Sequence, residues 1–324
     1  MLSLLVDNKE TSFLELRVSK DIDDFAGLFT AKVLAPIKVG TLIQIKLQGK
    51  YILEGFVEVS QCSLSSRGKE YQIQGREKTG DLVDSCLEST KSFSKKSLAA
   101  ISQEYTKTFG IKVHAPDVLV SYTPNPGATI FKALSDLAIK SKLRVVTRGG
   151  EIHFDKIKPN QEVLYRFEEG KNILSAIYTD DSRERFKKYV GISTISSWET
   201  EPTKEISFLD DDIRRNRVLI FLGDENLKEK CLSQRNLRKG KAEIVSIVVH
   251  GYEHNGRIPD LLEAAQIKLS SFGLEKTLMI VGVSFQIDKE QKKILKLKLA
   301  MPEAFKNEET KNCGAQDDIC GEDN

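Results

Sequence analysis

Asp81 and Asp84, three residues apart, are the first side chains in this chain that could do chemistry. On a helix that spacing sets both carboxylates on one face. Paired carboxylates perform acid–base work when their surroundings push the two pKa values apart. No histidine stands near them in the sequence, and an acid in a first helical turn already complements the helix dipole. His250 and His254 form a second pair, spaced to hold a metal if they lay on a helix. Ile247-Val248-Val249 before them reads as a strand, however, and Gly251 breaks a helix. Two exposed histidines at a strand end are the expectation. The chain has no H-E-x-x-H and no C-x-x-C spacing. Arg148-Gly149-Gly150 could cradle an anion, but a type I′ hairpin turn uses both glycines without a ligand. Basic clusters at 183–188 and 235–241 are interleaved with acids or lie on a helix, which makes solvated faces of them. These patterns assign no catalytic, cofactor-binding or metal-ligating residue, and the chain reads as a non-enzyme with no cofactor.

Composition narrows the classes further. The 324 residues carry 49 Lys plus Arg against 47 Asp plus Glu, a formal net charge of +2. Such a balance lacks the global basic field of a dedicated nucleic-acid binder. The length allows two or more domains. The apolar runs, such as Ile244 to Val249, fall far short of the roughly 20 residues that span a bilayer. Met1 to Val6 is apolar without a basic flank and reads as a first strand, not a signal peptide. Cys62, Cys86, Cys231, Cys313 and Cys320 are odd in number and scattered, which disfavours a disulfide scaffold.

The elements that must position these residues are mostly strands. Leu14, Leu16 and Val18 alternate with polar neighbours, as do Ile43, Ile45 and Leu47. Period-two alternation puts one face in a core and the other in water. A hairpin follows, with Leu53, Gly55, Val57 and Val59 on one arm, a turn at Ser65-Ser66-Arg67-Gly68, and Tyr71 and Ile73 on the other. In the middle, Ser97 is placed to cap a helix from Leu98 to about Phe109, with Gly110 as its stop. A second helix is predicted from Ala128 to about Ser141, then a hairpin turning on Gly149-Gly150. Farther on, Arg217 to Leu222 reads as a strand, Glu225 to about Lys239 as a charged helix, and Ile244 to Val249 as a strand. Leu261 to Phe272 fits a helix or a loop. A last hairpin pairs Val281, Val283, Phe285 and Ile287 with Leu295, Leu297 and Leu299. After Phe305 the chain turns polar and acidic, and disorder is expected there.

Two stretches have specific wording. Gly75-Arg76-Glu77-Lys78-Thr79-Gly80-Asp81-Leu82-Val83-Asp84-Ser85-Cys86, or G-R-x-K-T-G-D-L-V-D-x-C, resembles the barrel-to-insert junction of the Mu-like phage baseplate hub proteins, the family that includes the late control D type. The run from Asn172 to Gly191 is similar to the strand that, in that family, carries the chain back to the first barrel. Met301-Pro302-Glu303-Ala304-Phe305 is similar to the family's closing segment. Between Gly256 and Leu278 the chain departs from the family, with a possible helix in place of an extended segment.

The resemblance implies an α+β, mainly β fold of two small β-barrels plus an inserted α/β domain with two helices and a hairpin. It sets a first barrel at 1–90, the insert at 91–167, return strands completing the first barrel at 168–212, a second barrel with a helix at 213–305, and an acidic tail at 306–324. It also implies a homotrimeric ring with a channel, joining a tail tube and adjacent baseplate proteins to a central spike. DNA would pass through without specific contact, and no membrane span is expected. The place of work would be the virion tail baseplate, with assembly in the host bacterial cytoplasm. Two other readings stand beside it. One is a tail-associated cell-wall hydrolase using Asp81 and Asp84. The other is a barrel binding a glycan or single strand, for which aromatics at 7% and a sole tryptophan, Trp198, are sparse.

Overall fold

Alternating apolar residues become strands where a second layer covers them, and here they build one large sheet. A computed structural model describes residues 2–66, 68–156, 162–193, 205–222 and 227–302. Arg67, Trp198, Cys313, Cys320 and the expected acidic tail at 306–324 lie outside the described residues. The first module comprises β1 (Leu2–Val6), β2 (Lys9–Thr11), β3 (Phe13–Asp21), β4 (Leu28–Val33), β5 (Leu42–Leu47), β6 (Lys50–Ser65) and β7 (Gly68–Glu77). The insert holds α1 (Gly80–Asp84), β8 (Phe93–Ser97), α2 (Leu98–Thr106), β9 (Val113–His114), β10 (Leu119–Tyr122), α3 (Ile130–Lys140), β11 (Arg144–Arg148) and β12 (Glu151–Asp155). The last part contains β13 (Val163–Glu168), β14 (Ile173–Asp180), β15 (Lys188–Ile192), β16 (Glu205–Leu209) and β17 (Val218–Leu222). It ends with α4 (Leu227–Ala242), β18 (Glu243–His250), β19 (Ala264–Leu269), β20 (Leu274–Ile287) and β21 (Lys293–Ala300).

The fold is α+β and mainly β. Its two β modules are joined rather than separate: β3 pairs antiparallel with β20, placing Val18 opposite Phe285. A 13-stranded sheet results, in the order β14-β18-β21-β20-β3-β4-β7-β6-β5-β1-β2, with β19 and β13 branching from β20. Among the described residues the path is open at both ends, and neither module closes on itself as a barrel by hydrogen bonding. One apolar cluster runs through both modules, from Leu4 and Ile45 to Ile247, Val283 and Leu297. The insert has its own, built from Leu98, Ile101, Ile130, Leu134, Leu137 and Phe154.

Four local expectations change. Half of the segment from Leu261 to Phe272 is strand β19, followed by a short 3-10 turn at Ser270–Phe272. It lies between β13, in parallel, and β20, so the expected departure from an extended segment is absent. Burial of Ala264 and Ala265 side by side blurred the alternation that marks a strand. The return segment, expected to complete the first barrel, pairs elsewhere. Strand β14 lies against β18, and β15 forms a separate three-stranded sheet with β16 and β17. Ser97 makes no side-chain cap, and the Leu98 N–H donates to the Val118 carbonyl. The second helix starts two residues into its expected range, at Ile130, with the Thr129 hydroxyl accepting from the Lys132 N–H at 3.2 Å. Gly110 does end the first helix in the left-handed region, at φ 63° after a 3-10 turn. The charged helix, expected from Glu225, is described from Leu227.

Candidate assembly surface

The junction motif is a structural clamp. Gly75 leaves no room for a side chain: a Cβ there would sit 1.9 Å from the Phe56 carbonyl oxygen and 2.7 Å from the Phe29 ring. Glu77, the variable letter of the motif, is 1% exposed. Its carboxylate accepts from the Gly150 N–H at 2.7 Å, the Gly27 N–H at 3.3 Å, and Lys20 Nζ at 3.3 Å. The glycine turn at Arg148-Gly149-Gly150 therefore holds an anion supplied by the chain itself. Both glycines are in the left-handed region, φ 58° and 80°, as the type I′ expectation requires. Thus one buried carboxylate ties the insert hairpin to β3 and to the turn before β4. Sequence reasoning passed over Glu77, though period two along Ile73, Gly75 and Glu77 places it on the buried face.

Asp81 and Asp84 do not converge on a cleft. Asp84 is exposed and accepts from Arg76 Nη2 at 2.5 Å. That bond holds its carboxyl below the usual aspartate range, the reverse of what a general acid needs. Asp81 is exposed in the first turn of α1. His250 is exposed at the end of β18, but His254 is half-buried with its ring edge against Phe167 at 5.2 Å. Burial pushes the His254 pKa down. The basic cluster at 183–188 is largely internally neutralised. Arg185 is buried and makes a bidentate pair with Asp210 at 2.8 and 3.0 Å, plus a contact to Asp212. Arg183 pairs with Asp181, and Lys187 with Asp211. In the second cluster Arg238 pairs with Glu184, Lys239 with Asp212, and Lys241 with Asp23.

What the chain leaves unsatisfied is apolar surface and strand edge. Strand β14 ends the sheet: β18 bonds one side of it, and it presents Leu174, Ile177 (65% exposed) and Tyr178 to solvent. The small sheet β16-β15-β17 is covered on one face by α4, whose Cys231 and Leu227 pack on Gly191. Its register aligns Leu209, Val218, Ile220 and Leu222 on the opposite face, all exposed. A third surface is the outer half of the β6–β7 hairpin. Past Phe56 the β5 pairing ends, and before Tyr71 the β4 pairing has not begun, so a bare two-stranded ribbon projects. Val59 and Leu64 are exposed on it. Contiguous exposed apolar area of this sort marks interaction sites, and an unblocked edge strand is a template for another chain.

No family model matches the sequence, and no curated protein matches it. Solved structures do match the fold. A 43 kDa tail protein of prophage MuSo2 from Shewanella oneidensis superposes with a TM-score of 0.82 at 19% identity, over 94% of this chain and 98% of that one. A tail protein from Neisseria meningitidis MC58 gives 0.80 at 16% identity, with the same two coverages of 94% and 98%. The E. coli c3393 protein, a type VI secretion component described as similar to T4 bacteriophage tail proteins gp27 and gp5, gives 0.55 at 9% identity over 92% of this chain and 76% of that one. The chain thus has the fold of prophage tail proteins.

Proposed function

We propose that this protein is a structural subunit of a tail baseplate hub, in a phage tail or a related injection machine. Three copies form a ring with a central channel, and the ring joins the tail tube to the central spike. The observation that carries this reading is the end-to-end fold likeness to prophage tail proteins, which leaves almost no part of either chain over. The free surfaces supply the physical means. An open sheet with β14 at one end and β2 at the other favours head-to-tail contacts, which close into a ring when the rotation permits. Two β modules per copy in one sheet make six modules in three copies. That arrangement suits a sixfold partner on one side and a threefold partner on the other. The paired charges at 181–187, 210–212 and 238–241 limit phosphate binding, as a DNA conduit needs.

The test is mass photometry of the purified chain together with negative-stain imaging of assembled tails. A threefold ring with a hole is the expected result. A monomer in solution that is also absent from the tail particles overturns the reading.

A further inference from the structure

Outside the junction and the free apolar surfaces, one group of side chains among the described residues has the composition of a ligand set. His114, Glu151 and His153 offer ligand atoms that all lie within 4.8 Å of one another. Their placement follows from the backbone. Strand β12 pairs in parallel with β9 so that His153 stands opposite His114. Glu151 precedes His153 by two, so period two returns it to the same face. The imidazoles stack with centroids 4.4 Å apart and planes at 14°, and His114 Nε2 lies 2.8 Å from Glu151 Oε2.

We propose that His114, Glu151 and His153 form a zinc site on the insert. Two imidazoles and one carboxylate are a ligand set that Zn2+ takes with a fourth position left to water. Bonds of about 2.0–2.1 Å in a tetrahedron separate ligand atoms by roughly 3.3 Å. The present spread of up to 4.8 Å has to close by side-chain rotation, and the strands already hold His114 and His153 in register. His114 has half its side chain exposed, at 51%, which supplies both the freedom to turn and a path for the ion. The nearby cations do not block the site. Lys112 touches Glu151 at 3.4 Å but is mostly in solvent, and Arg148 is engaged by Asp155 at 2.6 Å and by Asp260.

The experiment is calorimetric titration of metal-free full-length chain with Zn2+ at pH 7.5, paired with Co2+ absorption spectroscopy. One equivalent is expected to bind, with the visible bands of tetrahedral Co2+ and no thiolate-to-metal band. Mg2+, a hard cation that seeks oxygen donors, gives no heat. His114→Ala and Glu151→Gln should each weaken binding at least about tenfold, the low end of the cost of losing even an outer partner. Binding should also weaken in acid, because protons compete with the metal for its ligands. His114 is a surface residue, so its variant should keep the metal-free melting point; Glu151→Gln provides a second variant if it does not. No binding by the parent chain overturns the proposal. So does binding that both variants leave unchanged, or a thiolate band, which would place the metal on cysteines instead.

Discussion

The hairpins β6–β7 and β20–β21 are written alike and live in opposite environments. Each has a long first arm of alternating apolar residues, a polar turn and a shorter return arm. Each carries a register shift in the first arm, between Val57 and Val59 in one and Ile280 and Gly282 in the other. Yet Leu278 to Phe285 of β20 is buried without a break, while β6 from Glu58 to Ser65 is exposed without a break. The cause is what lies alongside. Strand β20 has β19, β21 and β3 as neighbours along its length. The outer half of β6 has β7 alone. An isolated two-stranded ribbon is marginal in water, so this one draws its order from its base and is available for a partner at its tip.

The base is where the comparison breaks most sharply. Glu77→Ala would strand Lys20, whose side chain is only 9% exposed, and leave the Gly27 and Gly150 N–H groups without an acceptor. Breaking a buried pair by removing one partner costs about 3–5 kcal/mol. Urea unfolding should register that loss, and Glu77→Gln, which keeps one of the two acceptor oxygens, should lose less. A variant as stable as the parent chain would mean that the carboxylate is not what fastens the insert.

In the buried hairpin, Leu297→Ala should cost about 2–5 kcal/mol, as for a large core side chain cut to a methyl. Leu297 is fully packed between Val283 and Ile247. A loss of under 1 kcal/mol in the same denaturant series would remove the contrast with the ribbon.

These positions also mark how far the sequence could be read. Alternation disclosed both hairpins, because period two survives in any strand with one dry side. It could not disclose which hairpin was sheltered, since that depends on β3 meeting β20, as at the contact between Arg17 and Ser284, 267 positions apart. Strand β19 was obscured because it is short: Ala265, Ile267 and Leu269 alternate with Gln266 and Lys268, but buried Ala264 beside Ala265 breaks the period at its start, and its pairing with β13 and β20 is long-range. The junction was legible as wording but not as mechanism. Gly75 was visible as punctuation, and the structure adds the carbonyl and ring that forbid a Cβ. The zinc-ligand candidates were invisible because His114 and His153 are 39 positions apart in sequence and meet only through the β9–β12 pairing. Arg185 was read as solvated since a charge run carries no sign that Asp210 would close over it.

At the tip, the expectation reverses. Leu64 is 76% exposed and touches no second layer, so Leu64→Ser should change the stability of the monomer by no more than about 0.5 kcal/mol. If the ribbon is a contact between ring subunits, the same substitution should weaken the trimer by at least about 1 kcal/mol, the threshold that separates contributing contacts from neutral ones. That corresponds to roughly a fivefold rise in dissociation constant, which mass photometry across a dilution series resolves. Exposed Leu28, close to the β3–β20 joint rather than on the ribbon, serves as the control: Leu28→Ser should leave assembly alone. Equal assembly by the Leu64 variant and the parent would mean that the ribbon serves a different partner, and the search for the ring contact would move to Ile177 on β14 and to the exposed face of β17.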